Sequence, residues 1–139
     1  MKKLNTKRLI GIIRRHFPRV QAIYLFGSAG TENERPDSDV DIALLLKHEE
    51  VEMAGPLLLH PLKSELESLL GKTVDLINLR KVSTVFQKEI IMDDRRIYCA
   101  DEPVVDEFEM LTLSFYQKLN EERANIIKEA LKNGKFYNV

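Results

Sequence analysis

Two aspartates one residue apart, Asp39 and Asp41, stand at the head of an apolar run, IALLL. In a β-strand, side chains at i and i+2 share a face, so these carboxylates stand side by side while Val40 faces the other way. Paired hard oxygens at a strand start make a site for a divalent cation. Upstream, a second apolar run, YLF, breaks at Gly27-Ser28, and ten residues separate Ser28 from Asp39. A third carboxylate, Asp75, lies inside VDLI. An isolated Asp-x-Asp is commonplace on solvated turns, and a lone Gly-Ser ends many strands. The joint pattern is far rarer.

The elements that must position these groups follow from periodicity. Leu9, Ile12 and Ile13 fall at helical spacing over residues 5–16, with Asn5 or Thr6 able to cap and Pro18 as the stop. Residues 20–26, VQAIYLF, and 40–46 read as buried strands. Between them Gly30, Asn33, Pro36 and Asp37 mark an irregular crossing, in which residues 28–32 have the makings of a short helix. Residues 50–70 are helical but interrupted by Pro56 and Pro61, and Gly71 is the C-cap. A third strand over 72–79 carries Asp75, a helix spans 83–92, and a fourth strand covers 96–100. The tail, 104–133, is one long helix or a kinked pair, with an apolar stripe of Val104, Val105, Phe108, Leu111, Phe115 and Leu119 that continues at Ile126, Ile127 and Leu131. Part of that stripe belongs to the core; the rest is available to a partner.

A chain of 139 residues makes one domain and buries about two thirds of its unfolded surface. With 44% hydrophobic and 31% charged residues it has a globular balance, and a formal charge of -1 gives no global attraction for nucleic acid. The single cysteine, Cys99, forbids an internal disulfide and reads as a buried, inert thiol. No apolar run approaches the length of a membrane span, so the expected location is the cytoplasm. The fold expected is α/β (α+β): a small mixed sheet of about four strands flanked by helices.

Gly27-Ser28, ten residues, Asp39-Val40-Asp41 and then Asp75 resemble the signature of the DNA polymerase beta superfamily of nucleotidyltransferases. The resemblance covers roughly residues 5–100 and, with so short a chain, points to the minimal nucleotidyltransferase group. It implies a polymerase-beta-like fold over that core, with residues 103–133 as a helical extension that contacts a partner. It implies two Mg²⁺ ions and ATP, with Asp39 and Asp41 bridging the nucleotide-bound metal. Asp75 would hold the second metal and take the proton of the incoming hydroxyl. Gly27 and Ser28 would cradle the triphosphate. Members of this group are commonly antitoxins that transfer AMP from ATP to a tyrosine of an all-helical HEPN-type ribonuclease toxin.

Two other functions share these residues. The protein could neutralise its partner by occlusion with its long helix, or apply the same chemistry to a small molecule or an RNA end. Many relatives carry a basic or hydroxyl residue directly after Gly-Ser, where this chain has Ala29 and Gly30. Arg35 is read either as a substitute reaching back to the phosphates or as a solvated loop residue. Asp93-Asp94-Arg95-Arg96 reads as a turn with local ion pairs.

Overall fold

The computed structural model describes residues 5–28, 31–35, 37–53 and 57–132. Its elements run α1 (Thr6–His16), β1 (Ala22–Phe26), β2 (Val40–Leu45), α2 (His48–Met53), α3 (His60–Leu70), β3 (Val74–Asn78), α4 (Thr84–Met92), β4 (Arg96–Cys99) and α5 (Glu102–Lys132). The strands form one mixed sheet in the order β3-β2-β1-β4, with β1 antiparallel to both neighbours and β2 parallel to β3. The helix boundaries have local causes. Asn5 accepts a hydrogen bond from the Arg8 amide at 3.2 Å to open α1, and Ser83 accepts one from Phe86 at 3.2 Å to open α4. Pro61 sits in the first turn of α3, where its missing N–H removes no helical bond, and Gly71 ends that helix at φ +63.

Alternation along the strands separates two cores. Ile23, Leu25, Val40, Ile42, Leu44 and Val74 face α1 and α3, where they meet Leu9, Ile13, Leu62 and Leu66. Ala22, Tyr24, Ala43 and Leu45 face the other way, toward Ile90 of α4 and Val105 of α5. A register shift in the β1–β4 pairing places Tyr24 opposite Arg96 while Ile23 opposes Tyr98. The extra residue, Ile97, joins Tyr98 on the α1 side, and Arg96 is turned onto the α5 side beside Tyr24.

That turn lets Arg96 anchor the long helix. The Tyr24 hydroxyl donates to Glu109 at 2.6 Å, and Arg96 donates to Glu109 at 2.9 Å and to Asp106 at 3.2 Å. Burial, reinforced by the Glu109 carboxylate, holds the Tyr24 phenol protonated well above its usual range. Beyond this anchor the helix loses the sheet. It is one continuous helix of 31 residues, and Lys88 of α4 lies 5.0 Å from the Tyr116 ring centroid. From Gln117 to Lys132 every residue but the half-buried Ala130 is exposed.

Several boundaries differ from the sequence reading by one or two residues, because strands end where ladder pairing ends rather than where apolar residues do. The interrupted stretch before Gly71 is two helices, α2 and α3. The apolar stripe of α5 contributes less to the core than its composition suggests: Val105 is buried and Phe108 half-buried, while Leu111 and Phe115 are 61% and 53% exposed. Cys99 is half-buried against the α4–α5 side rather than enclosed. Residue 133, read as the end of the tail helix, lies outside the described residues. Among the described residues no helix is long and apolar enough to cross a membrane.

Candidate active site

Cα pairing sets Phe26, Asp41 and Asp75 in one row across β1, β2 and β3. Residues directly opposed in a sheet share a face, so both carboxylates stand on the α4–α5 side. They occupy the end of that face where β1 finishes and β2 and β3 begin. Asp39, two residues before Asp41, extends the same side just outside the ladder and is exposed. Val40 between them is buried in the opposite core, which fixes the alternation.

The three charges act on one another. Asp41 has its pKa raised, first by burial and then by the nearby Asp75 and Asp39 carboxylates, with Arg95 pulling the other way. Like charges held this way by a sheet register form a concentration of negative potential that a hard cation relieves. Among the described residues no three His, Cys, Asp or Glu side chains are close enough together to chelate an ion as they stand. Asp39 and Asp75 are exposed. In donor type and charge the set fits Mg²⁺.

Gly27 lies against Asp41. Its φ is +72, and a Cβ built there would fall 2.0 Å from the Asp41 Oδ2. Any other residue would collide with the carboxylate and strain the backbone. Ser28 then opens a turn, its carbonyl accepting from the Thr31 amide at 3.0 Å and the Thr31 hydroxyl at 2.6 Å. The described parts of the crossing, 27–28 and 31–35, hold no helix; residues 29, 30 and 36 lie outside the description. Hydroxyls and one ion pair secure it instead. Ser38 accepts from the Arg35 amide at 2.8 Å, and Lys72, just before β3, pairs with Glu34 at 2.9 Å.

Arg95 is the residue that sequence reasoning missed. Its Nη1 donates to the Gly27 carbonyl at 2.7 Å and lies 3.4 Å from Asp93 Oδ2, and its charge acts on Asp41. Arg35, considered for that role, is exposed, and the hydrogen bond it donates to Ser38 comes from its backbone. The available signal was the turn Asp93-Asp94, where Asp94 takes φ +55 and returns the chain to β4 beside Gly27. Nothing in residue type says that the next arginine crosses to another strand.

Residues 7–103 match the family model "Polymerase beta, Nucleotidyltransferase". The chain belongs to the polymerase beta nucleotidyltransferase family. All four strands and the three carboxylates fall within the matched residues, and nearly all of α5 falls outside. Similarity to narrower relatives runs over nearly the whole chain. The chain is 33% identical over 134 residues to "Protein adenylyltransferase MntA" of Shewanella oneidensis, covering 96% of this chain and 92% of that protein. A crystal structure of a toxin–antitoxin with AMP-PNP is similar at TM-score 0.76 and 31% identity, over 92% of this chain and 99% of that one. A structure of tri-AMPylated Shewanella oneidensis HEPN toxin in complex with MNT antitoxin is similar at TM-score 0.69 and 30% identity, over 91% and 96%. The polymerase-beta fold expected from the motif is therefore the fold observed.

Proposed function

We propose that this nucleotidyltransferase is a protein adenylyltransferase that moves AMP from ATP onto a tyrosine hydroxyl of a cognate HEPN toxin, and so acts as its antitoxin in the cytoplasm. The observation that carries the reading is the row of Asp41 and Asp75 with Gly27 pressed against it. Relatives similar over nearly the whole chain include a protein named as an adenylyltransferase and a complex holding an AMPylated toxin.

Nucleotidyl transfer is an in-line displacement. The acceptor oxygen bonds to the α-phosphorus, the bond from that phosphorus to the α–β bridging oxygen breaks, and pyrophosphate departs. Two Mg²⁺ ions, when bound, neutralise the negative charge that gathers on entering, transferring and leaving oxygens. Asp39 and Asp41 would hold the ion that accompanies the nucleotide. Asp75, one strand further from Gly27, would share the second and accept the acceptor's proton. Gly27 admits the phosphate chain close to the backbone, and the Ser28 hydroxyl and adjacent amides hydrogen-bond it. Arg95 braces this cradle through the Gly27 carbonyl and adds a positive charge on the leaving-group side.

The exposed part of α5 is the proposed contact for the toxin. Leu119, Ile126, Ile127 and Leu131 lie on it, between 37% and 67% exposed, in a chain similar over 92% of its length to a toxin–antitoxin structure. The test is intact-mass spectrometry of the co-purified partner with ATP and Mg²⁺. Each transfer should add about 329 Da, on tyrosine by fragmentation. A partner neutralised with no added mass under any nucleotide would establish occlusion instead.

A further inference from the structure

β3 lies at the edge of the sheet with β2 as its one neighbour, and its outer side is open over a short, bounded stretch. In a parallel ladder alternate residues turn both backbone groups to the partner strand and those between turn theirs away. Val40 donates to the Thr73 carbonyl at 2.9 Å, and Leu79 donates to the Leu44 carbonyl at 2.9 Å. The odd-numbered residues of β3 therefore bond to β2, and Val74, Leu76 and Asn78 point their amides and carbonyls outward. Both ends of that outer row are occupied. The Val74 amide donates to Glu67 of α3 at 3.0 Å, and the Asn78 carbonyl accepts from the Lys81 amide at 2.9 Å. Between them the Val74 carbonyl, the amide and carbonyl of Leu76 and the Asn78 amide have no hydrogen-bond partner among the described residues. Acceptor, donor, acceptor and donor follow one another there, the set that one added strand satisfies.

The place of this gap bears on the reaction. Phe26, Asp41 and Asp75 form a row across β1, β2 and β3, so a residue set opposite Asp75 on an added strand is the next member of the row, with its side chain on the same face. Entering and leaving oxygens lie on opposite sides of the α-phosphorus. Gly27 and Ser28 stand at the leaving side, and the open edge lies beyond Asp75 at the other. We propose that the acceptor segment of the toxin docks in extended form as a fifth strand on the outer edge of β3, which sets its tyrosine opposite Asp75. Directly opposed residues hold their Cβ atoms about 4.5–5.5 Å apart, within reach for a phenol to lean onto the carboxylate that takes its proton. This rests on the adenylyl-transfer reading above and says how that site takes its acceptor. Main-chain bonds hold the segment whatever most of its side chains are, and the residue facing Asp75 is the one the site specifies.

The test uses the full chain with ATP and Mg²⁺, the whole toxin, and a short synthetic peptide centred on the toxin's accepting tyrosine. Methylating single peptide nitrogens should lower kcat/KM for AMP transfer about tenfold at two residues, two apart in the peptide, and leave the residue between them unchanged, because each affected amide loses its bond to β3. In deuterium exchange the Leu76 and Asn78 amides should gain protection when the toxin is bound, while the Val74 amide is protected with and without it. Leu76→Pro removes an outward N–H and no ladder bond. It should raise KM for the toxin about tenfold, while titration with AMP-PNP and Mg²⁺ gives the parent's affinity. If that variant does not fold, the methyl scan and the exchange, both on the parent chain, decide. A scan without alternation, a peptide refused while the whole toxin is modified, an unchanged KM in folded Leu76→Pro, or a Leu76 amide no better protected in the complex overturns the proposal. Protection of Leu76 that rises with the concentration of the chain alone gives the edge to a second copy and overturns it too. Transfer to neither toxin nor peptide overturns the adenylyl-transfer reading itself.

Discussion

The two faces of the sheet answer to different demands although the same strands build both. On the α1–α3 side, every second residue of β2 is enclosed: Val40, Ile42 and Leu44 are at most 1% exposed and meet only hydrocarbon. On the α4–α5 side, the alternate residues begin as carboxylates, Asp39 and Asp41, and become apolar only at Ala43 and Leu45. One face is sealed along its length; the other is sealed by α4 and α5 at one end and charged at the other. The difference shows how a strand serves a core and a site together. The sealed face holds the register, and the register holds charges together that would otherwise separate.

Asp41→Asn should break the comparison most visibly, because it removes the site's central charge and leaves the opposite core untouched. Transfer should fall by about a thousandfold or more, given what a preorganised charged group contributes to such a transition state. Thermal unfolding without added divalent ion should move the other way, toward greater stability by up to about 1 kcal/mol, the scale of like charges opposed across strands. The sign follows from the raised pKa of Asp41. A carboxyl that holds its proton more tightly when folded favours the fold below its unfolded pKa and loses that advantage as pH rises through the folded one. The parent's melting temperature should therefore decline over that acidic window relative to the variant's. A variant less stable than the parent at neutral pH would show that Asp41 is structural.

Leu66→Ala is the counterpart on the sealed face. Leu66 is fully buried between α3 and the sheet, on the face opposite the carboxylates, and its loss should destabilise by about 2–5 kcal/mol in urea unfolding. Turnover per folded molecule should stay near the parent's. A large loss of turnover in the folded fraction would mean that the sealed face tunes the site rather than merely carrying it.

The order of elements and the contents of the sealed face were legible because apolar alternation and helical spacing are local signals. Asp39 and Asp41 were legible as a pair for the same reason: β2 alternates cleanly, so one residue of separation means one face. That Asp75 stands beside Asp41 depends on the parallel β2–β3 register, which the motif suggested and only the sheet displays. The turn at Asp93-Asp94 and its local Arg95–Asp93 pair were legible, but the further contacts of Arg95 and Arg96 were not, because those partners lie outside the turn. Arg95 braces Gly27; Arg96, turned by an inserted residue in β4, reaches Tyr24's partner Glu109. A bulge leaves no mark in composition, so neither role could be read from the charges alone.

Tyr24→Phe sharpens the comparison at the middle of the open face. It removes the donor at 2.6 Å from Glu109 and leaves Arg96 as that carboxylate's remaining partner. The loss should be about 1.5–3 kcal/mol in stability, as for hydrogen bonds to charged groups. Hydrogen exchange should rise first in the α5 segment around Asp106 and Glu109, while α1 and α3 keep their protection. Loss spread evenly over both faces would mean that the anchor secures the whole sheet rather than one helix on it.

The smallest effect on folding should come from the region that belongs to neither face. Past Tyr116 α5 extends about 24 Å at 1.5 Å per residue, and Ile126 on it is 67% exposed. Ile126→Ser removes no contact with the sheet, so stability should stay within about 0.5 kcal/mol. Modification of free tyrosine or of a short acceptor peptide should likewise be unaffected. Capture of the whole toxin, read by surface plasmon resonance, should weaken, because the helix is long enough to reach a partner surface that the catalytic end cannot. If capture is unchanged while the peptide reaction is also intact, the toxin is held at the carboxylate end of the sheet, and the length of α5 needs another explanation.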